Sequence, residues 1–365
     1  MQPIAALFGF LVFAHDFSYT KAILSKTEAA FLIFCIWSFL NLGTQGQFLI
    51  KDRFTIFFGF FVYYALNRNL NLLRLRTVFY CIIFNFFCAL WNIFSTETFI
   101  TVANFIVRKV KVTSFGLRGI TGLSAESSFM SVMAICHAIF YFYFPKTNEE
   151  SKQSTIIVLF ITIMILFFSK SGSGFIMATL IAIIYFITLW TKLSLSKIYL
   201  LGVFTFFSLL LLMFFNKLPE MRGLDLLRLA LENPMLLLTD SSFQERLIGL
   251  HVGLISITNF PLGTGAGSYL STASYLDGLF DISSTYPLAR SGVGSNVSAL
   301  GTGLTEFGIL FPLAFVCLAY KAIVSDIQAA IPLSMAFLML LFSFSVGFPL
   351  IYLMIALANS KSQSK

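Results

Sequence analysis

Apolar stretches long enough to cross hydrocarbon recur along most of this chain, and they predict a bundle of membrane helices. The run 129–144 contains no Asp, Glu, Lys or Arg. Composition points the same way. Of the 365 residues 58% are hydrophobic, 11% are charged and 45 are Phe, a balance outside the soluble globular range. A β-barrel is excluded, because barrel strands alternate apolar and polar residues over about ten positions whereas these runs are continuously apolar.

The apolar runs place spans at 4–14, 29–42, 54–66, 76–94, 127–144, 154–169, 172–190, 197–215, 298–320, 329–345 and 346–358. A helix rises 1.5 Å per residue, so 127–144 reaches about 27 Å, close to a hydrocarbon core. The first three runs are short and must extend through flanking polar residues, tilt, or be partly re-entrant. The expectation is an all-α polytopic membrane protein of about 10–12 transmembrane helices.

Loop charge sets the orientation. Lys146, Lys152, Lys192, Lys197, Lys321, Lys361 and Lys365 fall on one side if the spans alternate, with Arg68, Arg74 and Arg76 of the 67–76 loop. That side is cytoplasmic by the positive-inside rule. The outer side receives 99–125, the 169–173 turn and the long stretch 216–297. This stretch holds Lys217, Arg222, Arg228, Arg246 and Arg290 against Glu220, Asp225, Glu232, Asp240, Glu245, Asp277 and Asp281, an acidic excess of two (seven minus five). The net charge of +8 therefore reflects membrane orientation, and nucleic acid is not an expected partner. All five cysteines lie in apolar segments, so neither a disulfide framework nor a metal-binding Cys-x-x-Cys is expected. The Met1 end has no basic residue before its first apolar run, so a cleaved signal peptide is not expected. The chain reads as one membrane domain, 1–365, with an outer insertion, 216–297. The insertion has helical pieces at 224–231 and 243–257 and a flexible turn at 261–269.

Ionisable residues near hydrocarbon are costly, about +2.5 to +3.5 kcal/mol for Arg or Asp at a helix centre. Those beside the spans are therefore candidate site residues, and four groups stand out on the outer side. The first is Arg118-Gly-Ile-Thr-Gly-Leu-Ser-Ala-Glu126-Ser-Ser-Phe129. Glu126 reads either as a partner of the helix dipole, with Ser124 or Ser127 as cap, or as a site carboxylate. Arg118 has no such local explanation, and Gly116, Gly119 and Gly122 let a ligand approach the backbone closely. The second is Phe168-Ser-Lys170-Ser171-Gly-Ser-Gly-Phe175, either a tight turn with a snorkelling lysine or an anion-binding nest at a helix N-terminus.

The third group is Arg246 and His251 ahead of Pro261-Leu-Gly263-Thr-Gly265-Ala-Gly267. No soluble βαβ unit is available here, so the glycines are not a dinucleotide fingerprint. Arg246 equally reads as a salt-bridged surface residue, and His251 as exposed. The fourth is Arg290-Ser-Gly-Val-Gly-Ser-Asn296-Val-Ser298, followed by Glu306-Phe-Gly308. Glu306, two turns into an apolar helix, needs a cavity or a buried arginine. Mid-span His137 reads as a hydrogen-bonded core residue, and Asp277 and Asp281 as a solvated helix face. No histidine pair has metal-ligand spacing and no Asp-x-Asp occurs, so no metal or cofactor is expected.

In this order and around one outer loop, the motifs resemble the O-antigen polymerase (Wzy-type) and O-antigen ligase superfamily of bacterial envelope glycosyltransferases. The matching pieces are Arg118…Gly122…Glu126-Ser-Ser128, Ser169-Lys-Ser171-Gly172, Arg246 ahead of Pro261-Leu-Gly-Thr-Gly265, and Asn296…Glu306-Phe-Gly308, spanning 100–320. Two departures count. Ser127 stands where the family often has Pro, and Ser295-Asn296-Val297-Ser298 lacks the histidine that ligases carry before the last long span, which favours a polymerase. The resemblance implies a metal-independent, C-type glycosyltransferase-like fold in the bacterial inner membrane. It would act at the periplasmic face on undecaprenyl-diphosphate-linked oligosaccharide of an O-antigen or capsule, with a chain-length regulator as a further partner. Arg118, Arg246 and Arg290 would hold the diphosphate and Glu126 would be the base or its orienter. Lys170, Ser171, His251, Gly265, Asn296 and Glu306 would line the substrate. The alternatives are a lipid-linked oligosaccharide flippase, or the ligase itself.

Overall fold

The computed structural model describes residues 3–20, 24–40, 50–70, 73–106, 120, 124, 127–144, 152–190, 233, 240–288, 292–294, 298–325, 329–341 and 348–363. It is 88% helical and no strand occurs among the described residues, so the fold is all-α. The helices follow the apolar runs. They are α1 (Pro3–His15), α2 (Lys26–Leu40), α3 (Ile50–Asn69), α4 (Leu75–Phe94), α5 (Thr96–Ile106), α6 (Ser127–Tyr143), α7 (Lys152–Ser169) and α8 (Gly172–Trp190). Then come α9 (Ser241–Asn259), α10 (Tyr269–Phe280), α11 (Ile282–Thr285), α12 (Ala299–Phe307), α13 (Leu310–Ser325), α14 (Ala330–Leu341) and α15 (Pro349–Gln363). The expected span 197–215 and the helical piece 224–231 lie outside the described residues.

One expected span is two helices. The run 298–320 is broken between α12 and α13, whose axes differ by 115°. Among the described residues only α4 is by itself long and apolar enough to cross a membrane, with the bent α12–α13 pair passing the same test jointly.

The chain forms two compact units, Met1–Leu72 with Pro234–Lys365, and Leu73–Asn233. In the first, α1 packs along α3, with Phe13 against Phe60, Phe61 and Tyr64. Tyr352 of α15 crosses α3 at Gly59, where a side chain would collide with the phenol. Further along the same two helices, Asn359 donates to the Tyr63 hydroxyl at 3.0 Å. The two contacts advance together, so α3 and α15 run in the same direction. Phe31 of α2 meets Phe315 of α13 and Phe34 meets Phe307 at the end of α12, so α2 packs across the break between them.

A polar cluster closes one end of this bundle. Ser25-Lys-Thr-Glu28 is a capping box: Ser25 N–H donates to Glu28 Oε2 at 2.8 Å, and Glu28 N–H donates to Ser25 Oγ at 3.3 Å. The carboxylate, 1% exposed, also accepts from Arg68 (3.2 Å) and Asn67 (3.3 Å) of α3. The Arg68 guanidinium sits 4.5 Å from the centre of the Tyr64 ring, and the Tyr64 hydroxyl donates to Asp16 at 3.1 Å. Arg68, expected as loop charge, is instead paired with a buried carboxylate; the Ser-x-x-Glu spacing marks the capping box but not this partner.

In the second unit α4 and α7 run against α6 and α8. Phe79 of α4 packs on Tyr141, and Tyr141 donates to Ser154 at 2.6 Å, while Phe86 stacks on Phe168. Short α5 folds back on α4 through Cys88, Phe99 and Ala103, with Trp91 Nε1 donating to Thr98 at 3.0 Å.

Candidate functional site

Two of the four motif groups meet in the second unit. The Ile120 N–H donates to the Phe168 carbonyl at 3.0 Å, and the Ile120 side chain enters the core shared by α4, α6 and α7. Ser124 is buried and donates to the Met133 sulfur at 3.4 Å. Ile120 thus ties the first motif to the end of α7, and Ser124 ties it to α6. Arg118 and Glu126 lie outside the described residues. By sequence they stand two residues before Ile120 and two after Ser124, with Glu126 directly ahead of α6.

The α7–α8 turn beside Ile120 is built from hydroxyls and glycines. Lys170 takes φ 48°, a left-handed conformation that a side chain adopts at a cost of about 1–2 kcal/mol. Ser169 and Ser131 share a 2.6 Å hydrogen bond, and Ser171 Oγ caps α8 by accepting from Gly174 N–H at 3.2 Å. Gly174 lies against Ser131 with no room for a side chain, so the first turns of α6 and α8 lie side by side. Each helix N-terminus carries about half a positive charge. Two of them next to Lys170 suit an anion. Ser171 enters this arrangement as the cap of α8, so its hydroxyl accepts from the backbone.

The other described candidates belong to the first unit, where α9, α10 and α11 enclose a core of Ile248, Val252, Tyr269, Ala273, Leu276 and Ile282. Asp240 caps α9 by accepting from Phe243 N–H at 2.9 Å. Gln244, 5% exposed, accepts from Leu288 N–H at 2.7 Å. Asp277 is part of this framework rather than a solvated face, since it accepts from the Ser283 N–H and hydroxyl at 2.7 Å each. Asp281 is exposed, as expected.

α9 crosses α12 at glycines. A Cβ on Gly253 would fall 2.7 Å from Gly301 O, and one on Gly301 would collide with Gly249. The Gly-x-x-x-Gly of α9 is thus a close helix crossing, as small residues allow. α9 leads into the 261–268 turn, which meets the far end of α12, so the two helices run in the same direction. Arg246, one turn before Gly249, and Glu306, beyond Gly301, therefore sit toward opposite ends of the crossing. His251, half-buried, is hydrogen-bonded through Nδ1 to the Tyr286 hydroxyl at 3.2 Å, with the rings edge to face at 5.8 Å. Burial raises the Tyr286 phenol above its usual range, so it stays neutral. The reading of His251 as exposed is corrected.

The expected flexible turn is a backbone docking site. Gly263, Gly265 and Gly267 all have φ between 81° and 96°. Thr264 N–H donates to Thr305 O (3.1 Å), Gly265 N–H to Glu306 O (2.9 Å), and Ile309 N–H to Pro261 O (2.9 Å). The turn therefore satisfies carbonyls that the C-terminus of α12 would leave open. Gly308, φ 59° and ψ −145°, makes the break. The Gly265 N–H is thus engaged by the protein, and Glu306, 7% exposed, is held at the break. Arg290 and Asn296 lie outside the described residues, as does Val297; Ser298 caps α12 through Gly301 N–H at 3.1 Å.

No family model matches the chain, and no curated protein matches it.

Proposed function

We propose that this chain is a polytopic inner-membrane glycosyltransferase that polymerises lipid-linked oligosaccharide repeat units at the periplasmic face. The observation that carries the reading is the junction of the first two motif groups, where Ile120 bonds Phe168 beside the paired N-termini of α6 and α8. Membrane embedding is supported by α4. Only 22% of its apolar window is buried, and Phe84, Phe87 and Phe94 are exposed, whereas a soluble protein's core helix is covered.

The chemistry fits the residues. An acceptor sugar hydroxyl attacks the anomeric carbon of the growing glycan. The bond from that carbon to the diphosphate oxygen breaks, and the diphosphate leaves with the electron pair. The resemblance gives the diphosphate to the guanidinium forks of Arg118, Arg246 and Arg290; within the second unit, Lys170 and the N-termini of α6 and α8 suit the charge of the leaving group. Glu126 takes the hydroxyl proton.

The test is complementation of a polymerase-null strain with wild type and with Arg118→Ala, Arg246→Ala, Arg290→Ala and Lys170→Ala at matched membrane abundance, reading lipopolysaccharide or capsule ladders. The expected result is a ladder from wild type and single-repeat product from the variants. Wild-type ladders from every variant would remove the site. Failure of single-repeat material to reach the outer leaflet without the protein would make flipping the function.

A further inference from the structure

Where the first unit breaks between α12 and α13, apolar side chains remain uncovered. Tyr275 of α10 packs on Phe260 with ring centroids 6.3 Å apart, and the next residue, Pro261, accepts from Ile309 N–H at 2.9 Å. The backbones touch here, since a Cβ on Gly308 would collide with Pro261 and Gly263. These contacts gather Leu262, Tyr275 and Ile309 into a collar around the break, with Leu279 one turn after Tyr275. Each of the four is between 48% and 60% exposed. From Ile309 the exposed surface continues along α13 through Leu313, Val316, Tyr320 and Ile323, the three- and four-residue spacing of one helix face. The opposite face, with Phe311, Ala314, Leu318 and Ala322, is buried.

Charge and length together identify what covers this surface. No Asp, Glu, Lys or Arg occurs from 247 to 276 or from 307 to 320, and the first on α13 is Lys321, beside Tyr320. A protein-binding patch has a polar rim, whereas an uncharged stripe ending in a tyrosine and a lysine has the order of hydrocarbon followed by membrane interface. The sixteen residues of α13 rise about 24 Å, short of a hydrocarbon core of about 30 Å. The collar extends the uncharged surface past the helix end and so offsets the shortfall. We infer that Leu262, Tyr275, Leu279 and Ile309 form a lipid-binding surface seated at the outer headgroup–hydrocarbon boundary, and that the α12–α13 break lies there and not in mid-membrane.

The collar sets the level of its neighbours. With α13 along the membrane normal, α12 lies 25° from the membrane plane (115° minus 90°). α9, which crosses α12 closely at Gly253 and Gly301, is held at the same surface. Glu306, two residues before Gly308, then stands at the level of the lipid headgroups, which avoids the cost of an ionisable group within hydrocarbon. The inference rests on the membrane embedding proposed above and is independent of the transfer chemistry.

The experiment places a nitroxide at Leu262, Leu279 or Val316 of the full chain in phosphatidylcholine liposomes. A ketone-bearing amino acid carries the label, so the five native cysteines stay in place. Collision rates with oxygen, which concentrates in hydrocarbon, and with a water-soluble nickel chelate report the depth of each label. The labels at Leu262 and Leu279 are expected about 5–10 Å into the headgroup–acyl boundary. Val316, seven residues after Ile309, should lie about 10 Å deeper. Labels at Leu262 and Leu279 as open to the nickel chelate as free label in buffer, with Val316 in hydrocarbon, would overturn the collar and leave the membrane embedding in place. Labels there that neither reagent reaches would mark cover by a partner protein or a second copy, and would overturn it as well. A Leu262 label as deep as Val316 would return the break to mid-membrane. Free nickel access at Val316 would remove the membrane embedding itself, and the collar with it.

Discussion

The Gly265 N–H donates to the Glu306 carbonyl at 2.9 Å, across forty-one residues of sequence that include three helices and their connections. This bond, with those from Thr264 to Thr305 and from Ile309 to Pro261, fixes where the α12–α13 pair breaks. A lone glycine in an apolar run tolerates a break, but the turn at 261–268 makes one favourable by bonding the carbonyls that the break exposes. Glu306 is thereby placed at the end of a half-helix instead of inside a continuous span.

Gly308 should accordingly be intolerant of a side chain. Its φ of 59° and ψ of −145° are essentially restricted to glycine, and a Cβ would collide with Pro261 O. Gly308→Ala is predicted to cost at least about 2 kcal/mol. Gly278→Ala, inside α10 with nothing within 4 Å of the added carbon, should instead gain about 0.5–1 kcal/mol. Thermal midpoints of the two variants in detergent decide the matter. A Gly308→Ala protein as stable as wild type would show that the turn does not template the break.

The Glu28–Arg68 pair predicts an asymmetry. Removing Arg68 leaves a carboxylate that is 1% exposed without its cation, and breaking such a pair from one side costs about 3–5 kcal/mol. The Arg68 side chain is 28% exposed, so the lower end of that range applies. Arg68→Met should therefore be strongly destabilised, and adding Glu28→Gln should recover most of the loss, because the neutral amide oxygen still accepts from the Ser25 N–H and its NH2 can donate to Asn67 once the Asn67 amide is turned over. Unfolding of the single and double variants would refute this if the two losses simply added.

The bond from His251 to Tyr286 predicts a structural effect. Tyr286→Phe removes the hydroxyl at 3.2 Å and should lower stability by about 1 kcal/mol while leaving the ring packing intact. Full ladder formation is expected from this variant if His251 serves the outer helical core. Loss of ladders at unchanged stability would return His251 to the substrate.

Much of the fold was legible in the sequence because a helix in an apolar run is a local decision. The spans expected at 76–94, 154–169 and 172–190 coincide with α4, α7 and α8 to within two residues. The break at Gly308 was not legible, since its partners are at 261–265 and no local signal joins them. The capping box at Ser25 and Glu28 could have been read, but its extension to Arg68 is tertiary. For the site, the order of the motifs was readable. That the first and second touch, through Ile120 and Phe168, was not, because the register between neighbouring helices is set by packing. Gly265 and Ser171 were singled out for residue type, and the protein's own helix ends occupy the groups that made them attractive.

Lys170 allows charge and backbone to be separated. Its φ of 48° costs a lysine about 1–2 kcal/mol relative to glycine, so Lys170→Gly should raise stability by up to about that amount. Lys170→Ala retains the strained backbone and should be no more stable than wild type. If the turn is only a tight connection, the glycine variant should polymerise at least as well as wild type. If Lys170 helps hold a diphosphate beside the N-termini of α6 and α8, both variants should lose activity by about tenfold or more, the effect of a missing charge-assisted contact worth about 1.5–3 kcal/mol. The expected outcome is a Lys170→Gly protein that melts later and yields shorter ladders, a trade of stability for function at a strained residue. A glycine variant that gains stability and keeps full-length ladders would place the anion site elsewhere.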